Sequence, residues 1–309
     1  MRPRYRDLPL GCAGSWFGEG DTRGCLNLLT EDRTRAAAQL IETGEVYNLN
    51  GAVGEWPNPS PAGRDVRPAP SHHVYELVGG VVFDDYLDGL YLQGGTQWDG
   101  FLHVHDPATG EAYGGSAASK GIAAWAHRAI VGRGVLLDLE RWATDAGKPI
   151  DWRSRHEFSA ADLSSCAAAQ SVTVSEGTVL LVRVGWEQGY QRLSTAERLA
   201  HAPADTRDRQ PVPGLAPSEA IAELLWDWGV AAIACDNPSL EVTPYAVELR
   251  DSLHVRLLAR LGMPIGELWL LDRLAAACAA LGRYEFFLCS VPLNLAGAVG
   301  SPANAVAIL

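Results

Sequence analysis

The sequence lacks any long apolar run. No segment approaches the roughly 20 apolar residues that a helix needs to cross a bilayer, which excludes a membrane-spanning helix. The opening MRPRYRDLPLGCAG has basic residues but no continuous apolar stretch after them, so we expect a cytoplasmic protein without a secretory signal. Basic residues are also scarce: 25 Lys and Arg stand against 37 Asp and Glu, giving a net charge of −12. Such a surface repels polyanions, which argues against nucleic acid and anionic membranes as partners.

Several common site motifs are missing as well. There is no CxxC pair, no zinc-finger spacing, no Walker A loop and no GxGxxG opening a helix after a strand. The cysteines show no regular spacing, which favours buried thiols in a reducing compartment over a disulfide framework. They are at positions 12, 25, 166, 235, 278 and 289.

The chain does have enough apolar residues for a full-sized core, at 47% of 309 residues. We expect one α/β domain spanning 1–309, with an extended N-terminal segment over about 1–50. Residues 56–71 are rich in proline and are predicted to form a surface loop, and 188–215 lacks periodicity, which is typical of a long loop. Strands are predicted at 74–83, 90–99, 134–141, 178–185, 230–235 and 284–290. Helices are predicted at 31–43, 160–169, 217–229, 248–261 and 268–281.

One short segment, YLQGGTQWDGFLHVHD, concentrates polar side chains that can bind a metal. Gln93, Gln97, Asp99 and His103 are separated by four, two and four residues, so an extended chain would point all four to one side. Three oxygen donors and an imidazole on one face can hold a divalent cation. The alternative is a solvated strand face with a structural histidine, which is the commoner meaning of such a pattern.

The same segment resembles the metal motif of the cyclase family, which includes kynurenine formamidase and isatin hydrolase. The family pattern is His-x-Gly-Thr-His-x-Asp-x-x-x-His, and this chain reads Gln-Gly-Gly-Thr-Gln-Trp-Asp-Gly-Phe-Leu-His. The TQWDG form is similar to that of a long branch resembling trans-dienelactone hydrolase. The resemblance covers nearly the whole chain, from WFGEGDTRGCLNLL at 16–29 to GSPANAVAIL at 300–309.

The resemblance implies roles for six residues. Gln93, Gln97, Asp99 and His103 would form the metal cluster, with Asp99 as the central ligand. His254 and Glu267 stand where the family has its acid/base histidine and a further metal-linked carboxylate. Without the resemblance, His254 would be a partly buried helix residue, and Glu267 a helix-start glutamate favoured by the helix dipole.

The two glutamines change the expected metal chemistry. A glutamine carbonyl is a neutral, hard oxygen donor, so the set fits Mn²⁺ or Mg²⁺ at least as well as Zn²⁺. We place Mn²⁺ or Zn²⁺ ahead of no metal; in the metal-free alternative, Gln93 and Gln97 would hold a water molecule or the substrate.

The resemblance thus implies a metal-dependent hydrolase that opens a small cyclic or aryl amide or a lactone by metal-activated water. Two alternatives remain at this point: a non-hydrolytic cyclase or dehydratase of a biosynthetic pathway, and a metal-free binding protein. The implied architecture is the swivelling β/β/α fold, a barrel-like mixed sheet surrounded by helices. Subunits of this family commonly associate, so a homodimer or homotetramer is expected, with a small molecule as substrate.

Overall fold

Nine strands form one mixed sheet that curls strongly into a half-barrel, with helices packed around it. The computed structural model describes residues 2–14, 16–56, 58–59, 66–115, 121–201, 210–245 and 248–309. Its strands are β1 (Val46–Asn48), β2 (Asn58–Pro59), β3 (Val66–Arg67), β4 (Ser71–Val78), β5 (Val82–Asp88), β6 (Gln97–Asp99), β7 (Ile130–Asp138), β8 (Glu157–Phe158), β9 (Thr178–Arg183), β10 (Gly214–Leu215), β11 (Val230–Cys235), β12 (Ile265–Glu267), β13 (Glu285–Ser290), β14 (Gly300–Pro302) and β15 (Ala305–Ile308).

The helices lie between these strands in the chain. They are α1 (Glu31–Ala37), α2 (Ala123–Ala126), α3 (Leu139–Asp145), α4 (Ala160–Ala169), α5 (Trp186–Gln191), α6 (Thr195–His201), α7 (Glu219–Trp228) and α8 (Asp272–Leu281), with a π-helix at Val255–Leu261. No helix of the described part of the chain is both long enough and apolar enough to cross a membrane. The expected mixed α/β architecture with a barrel-like sheet is confirmed.

The sheet has a parallel centre and antiparallel edges. Its order is β1-β15-β13-β7-β9-β11-β12-β6-β14, and the pairs among β7, β9, β11 and β12 are parallel. Every residue of β9 and β11 is buried, as their continuous runs of Val, Leu, Ile and Ala predict for strands covered on both faces. The antiparallel pairs β12–β6 and β6–β14 close the end of the sheet that carries the polar cluster.

Local capping chemistry sets the helix boundaries that the sequence predicted best. Ser159 and Asp162 form a reciprocal capping box at the start of α4. Ser218 caps α7, and Gly229 ends it in the left-handed conformation that glycine adopts without strain. These signals act over three or four residues, which is why they can be read directly from the sequence.

Several predicted elements differ in the structure. The strand expected at 74–83 is the end of β4 and the start of β5, joined by a turn. The loop expected over 56–71 contains β2 and β3, while 57 and 60–65 lie outside the described residues.

The helix expected at 31–43 stops at Ala37 and continues only as a 3₁₀ turn, Ala38–Leu40. The loop expected over 188–215 contains the end of α5 and all of α6, while 202–209 lie outside the described residues. The strand expected at 134–141 ends at Asp138, whose side chain accepts a hydrogen bond from Arg141 N and caps α3 instead.

Two further differences concern the polar cluster itself. The strand expected at 90–99 is reduced to β6, because Gly94 N donates to Tyr91 O at 3.0 Å and closes a turn before it. The helix expected at 248–261 is a 3₁₀ turn, Leu249–Asp251, followed by the π-helix. Single π-helical turns are uncommon and often lie at functional sites.

Candidate active site

The centre of the polar cluster is built on two neighbouring strands. Gln97 and Asp99 lie two residues apart on β6, so their side chains point to the same face of the sheet. Glu267, at the end of β12, is the register partner of Gln97. Gln97 Nε2 donates to Glu267 Oε2 at 2.9 Å and approaches Asp99 Oδ1 at 3.4 Å. All three side chains are buried.

Turns bring Gln93 and His103 to the same place. Gln93 Nε2 donates to Asp99 Oδ1, and the guanidinium of Arg67 donates to Gln93 O. His103 N donates to Gly100 O at 2.9 Å, which turns the chain back so that His103 Nε2 lies 4.0 Å from Asp99 Oδ2. The four residues therefore converge, but not by the extended conformation that their even spacing suggested.

A glycine on the neighbouring strand makes room for Gln93. Gly300 pairs with Asp99 across β14 and β6, and a Cβ atom at this position would collide with the side chain of Gln93. The backbone of Gly300 has no positive φ angle, so the reason for glycine here is the close approach of Gln93.

His254 completes the cluster from the other side. It lies immediately before the π-helix, and its Nε2 is 3.2 Å from Glu267 Oε1 and 3.8 Å from Asp99 Oδ2. Its Nδ1 lies 2.7 Å from Oε1 of Glu241, which also accepts a hydrogen bond from the His254 backbone N. This contact holds the imidazole with Nε2 directed at the two carboxylates.

Glu241 was not among the residues that the sequence suggested. It is fully buried in the segment Leu240–Val242, and a glutamate between two apolar residues is rarely buried without a partner. Its place between Leu240 and Val242 was the only signal in the sequence, since no periodic spacing links Glu241 to His254. Glu267 is also placed differently from one alternative above: it ends a strand rather than beginning a helix, because α8 starts only at Asp272.

Charges in the cluster are opposed and mutually stabilising. Burial acts to raise the pKa of Asp99, but the imidazoles of His103 and His254 outweigh it and hold this pKa below its ordinary value. Burial acts to lower the pKa of His254, but Asp99, Glu241 and Glu267 raise it well above its ordinary value. Without an ion, the site therefore pairs an ionised Asp99 with a protonated His254.

The residues present also fit a divalent cation. Ligand atoms of Asp99, His254 and Glu267 all lie within 4.8 Å of one another. Within the described residues, Gln97 Oε1 and Asp99 Oδ2 are buried without a hydrogen-bond partner. Buried oxygens are rarely left unpaired, and carboxylate, amide and imidazole donors together suit Mn²⁺ or Zn²⁺. Either glutamine can present its carbonyl oxygen by turning its amide.

The chain is similar to proteins of one known family. The sequence matches the Cyclase family over residues 56–242, and no curated protein matches it. A crystal structure described as a novel cyclase is similar at 30% identity and a TM-score of 0.81, over 96% of this chain and 99% of that chain.

Two more distant structures share the fold. Isatin hydrolase A from Ralstonia solanacearum has 17% identity and a TM-score of 0.60, over 85% of this chain and 91% of that chain. A predicted metal-dependent hydrolase from Bacillus stearothermophilus has 15% identity and a TM-score of 0.50, over 85% of this chain and 97% of that chain. The family match covers more than half of the sequence, and the protein belongs to the cyclase family.

Proposed function

We propose that this protein is a metal-dependent hydrolase that opens a small cyclic or aryl amide or a lactone. The observation that carries the proposal is that Gln97 Oε1 and Asp99 Oδ2, beside the acid/base residue His254, are buried without a hydrogen-bond partner among the described residues. The fold that the chain shares with proteins described as isatin hydrolase and metal-dependent hydrolase supports it. The ion we propose is Mn²⁺ or Zn²⁺, held by Gln93, Gln97, Asp99 and His103 with Glu267 alongside.

A divalent ion at this position would lower the pKa of bound water toward neutrality and polarise the substrate carbonyl. The proton transfer is assigned to His254. Because Glu241 occupies Nδ1 of His254, Nε2 is the nitrogen that exchanges a proton with the reacting atoms. The positive charge of a bound ion would disfavour the protonated form of His254 and leave Nε2 able to take a proton from water. Asp99 and Glu267 flank Nε2 and stabilise the imidazolium that then forms.

The same imidazolium then returns its proton to the leaving nitrogen or oxygen, so the proton balance closes within the site. Water adds to the carbonyl carbon and the C–N or C–O bond to that carbon breaks. The carbonyl becomes a carboxyl group and the leaving atom an amine or alcohol, and in a cyclic substrate both remain on one product. The second proton of the water leaves the carboxyl group for the amine or for solvent. Glu267, opposite Gln97, orients the attacking water or contributes to holding the ion.

The first experiment is elemental analysis of protein purified without added metal or chelator, together with assays on lactones and cyclic amides. We expect about one Mn or Zn ion per chain, and loss of both ion and ring opening in Asp99→Ala. Asp145→Ala, at an exposed position of α3, is the matched control and should keep both. An Asp99→Ala variant with full activity would refute the proposal.

One observation favours the alternative that this chain is a metal-free binding protein. The amides of Gln93 and Gln97 already donate to Asp99 and Glu267, so the carboxylates are partly satisfied without an ion. This alternative predicts no metal in the purified protein, none taken up on titration, and no turnover. A cyclase or dehydratase would instead form product only from a linear precursor.

A further inference from the structure

The residue directly after Glu267 has an unusual backbone conformation. Leu268 follows the last residue of β12 and has a φ angle of 58°, in the left-handed region that residues other than glycine seldom adopt. The residue is buried, so no exposed turn explains this conformation. Such a conformation costs free energy and persists only where the surrounding structure holds it. The contacts of Leu268 therefore indicate what fixes the end of β12.

Two hydrogen bonds hold the backbone of Leu268, one at its N–H and one at its carbonyl. Leu268 N donates to Asn237 O at 3.1 Å, and Leu268 O accepts from the hydroxyl of Thr96 at 2.5 Å. The same hydroxyl also acts as an acceptor, because Gly51 N donates to Thr96 Oγ1 at 2.9 Å. Thr96 is itself buried. Its hydroxyl is therefore fixed in direction, with its proton on the carbonyl of Leu268.

This hydroxyl takes the place of a backbone hydrogen bond of the sheet. Glu267 and Gln97 are the last paired residues of β12 and β6, so Leu268 and Thr96 would be the next opposing pair. The left-handed conformation takes Leu268 out of that ladder, and Thr96 O accepts from Ala303 N at 3.1 Å instead. Without the side chain of Thr96, Leu268 O would be a buried carbonyl that lacks its donor, which is unfavourable. The hydroxyl therefore stabilises the kink that ends β12.

The carboxylate of Glu267 tolerates little displacement. Its Oε1 lies 3.2 Å from His254 Nε2, and its Oε2 accepts from Gln97 Nε2 at 2.9 Å. A displacement of about 1 Å would break either contact, because a hydrogen bond is lost beyond about 3.5 Å. The two partners lie on different elements, so the backbone that carries Glu267 has to hold the carboxylate between them.

We propose that Thr96 is a positioning residue for Glu267 and acts through the left-handed backbone of Leu268. The hydroxyl fixes the direction in which the chain leaves β12, and this direction sets where the carboxylate of Glu267 lies. The inference deepens the proposed function and rests on it, because Glu267 acts there on the attacking water or on the ion.

The experiment compares Thr96→Val and Thr96→Ser in the full chain. Valine keeps the shape of threonine without the hydroxyl, and serine keeps the hydroxyl. For a ring-opening substrate, we expect Thr96→Val to lower kcat about 10–100-fold with little change in KM, and Thr96→Ser to stay close to the wild type. Thr34→Val is the matched control, because it removes a hydroxyl of α1 that donates to Val131 O at 3.1 Å. It should leave kcat unchanged.

Thr96 also directly precedes Gln97, so the experiment has to separate an effect on Leu268 from an effect on Gln97. Leu268→Gly does this, because glycine adopts the left-handed conformation without strain and the kink then no longer depends on the hydroxyl. In the Leu268→Gly background, we expect Thr96→Val to have little further effect on kcat. A loss that passed through Gln97 would remain in that background.

A second measurement does not require turnover. The side-chain amide of Gln97 donates to Glu267, and the exchange of its protons with solvent is measured by nuclear magnetic resonance in protein without metal. We expect this exchange to be about tenfold faster in Thr96→Val, because the hydrogen bond to a charged acceptor is lost. Thr96→Ser and Thr34→Val should exchange at the wild-type rate.

The outcomes distinguish this inference from the proposed function. A wild-type protein with neither turnover nor bound metal would refute the proposed function, and the amide exchange would still decide the role of Thr96. Equal exchange in Thr96→Val and the wild type would overturn that role. So would an equal loss of kcat in Thr96→Val and Thr96→Ser, or a loss that persists undiminished in the Leu268→Gly background. If Leu268→Gly does not fold, the comparison of valine with serine decides.

Discussion

Gln97 and Glu267 face each other across β6 and β12, with Gln97 Nε2 donating to Glu267 Oε2 at 2.9 Å. The amide of Gln97 thus gives one carboxylate oxygen of Glu267 a hydrogen bond without neutralising its charge. The carbonyl oxygen of Gln97 has no hydrogen-bond partner in the described structure. A histidine at this position, as in the usual family pattern, would offer nitrogen where this chain offers oxygen. In the proposed metal site, the choice of residue 97 would therefore bear directly on which ion is preferred.

We predict that Gln97→His shifts the preference toward Zn²⁺, because imidazole is a better zinc ligand than an amide oxygen. The ratio of Zn²⁺ to Mn²⁺ affinity should rise on the order of tenfold, measured by competitive titration calorimetry. Gln188→His, at an exposed position of α5, should leave the ratio unchanged. An unaltered ratio in Gln97→His would show that residue 97 is not a ligand.

Glu241 is predicted to act by positioning His254. Glu241→Gln keeps an acceptor near Nδ1 but removes the charge, and loss of such an outer partner typically lowers metal affinity or activity by about 10–100-fold. The measurement is kcat and KM for a ring-opening substrate, with the fall expected mainly in kcat. Glu248→Gln, which is exposed, serves as the control. Equal kinetics in Glu241→Gln and the wild type would contradict the role.

Gly300 is predicted to be required for the position of Gln93. Gly300→Ala places a methyl group against that side chain and should cost about 1–3 kcal/mol in the free energy of unfolding, together with a loss of metal affinity. Gly95→Ala is the matched control, since a Cβ there meets only Trp56 Cδ1 at 3.6 Å, an ordinary contact. Chemical denaturation and metal titration measure the two effects. Equal behaviour of the two variants would contradict the packing argument.

Stability should depend on pH through a buried carboxyl away from the site. Burial, reinforced by the charge of Asp272, raises the pKa of Glu187 to about 8 from an ordinary 4.5. The folded chain therefore binds this proton more tightly than the unfolded chain does. The resulting stabilisation is complete below pH 4.5 and is lost as pH rises through 8, with a slope of up to about 1.4 kcal/mol per pH unit.

Glu187→Gln isolates this effect, because the amide oxygen can still accept from Leu271 N and Asp272 N without carrying a charge. The variant should gain stability relative to the wild type between pH 5 and 8, measured by denaturant unfolding at several pH values. A constant difference across that range would show that Glu187 does not titrate there.

The elements that the sequence predicted correctly depend on local chemistry. The capping box of Ser159 and Asp162 and the buried run of β11 need only neighbouring residues to be recognised. The geometry of the candidate site, in contrast, could not be predicted from neighbouring residues. Even spacing suggested one extended strand, whereas turns at Gly94 and after Gly100 bring Gln93 and His103 to Asp99. The sequence thus predicted that these side chains converge, but it attributed this to an extended strand rather than to turns.

Two features could not be foreseen because they depend on distant contacts. The role of Glu241 depends on its contact with His254, and nothing in the spacing of the two residues indicates this contact. The run VYELVGGVVF predicts one strand, whereas the structure divides it between β4 and β5 with a turn at Gly79 and Gly80. Such apolar residues would ordinarily be expected in a core. Their exposure along β4 and β5 is a property of the three-dimensional fold alone.

The cluster rests on three strands that are far apart in the chain: β6, β12 and β14. During synthesis on the ribosome, β6 emerges long before either of its two neighbours in the sheet. Gln97 and Asp99 therefore stay hydrated until β12 and β14 have also been made, and a chain without those two strands has no preformed site in which to trap an ion. Metal uptake should consequently follow, rather than guide, completion of the sheet.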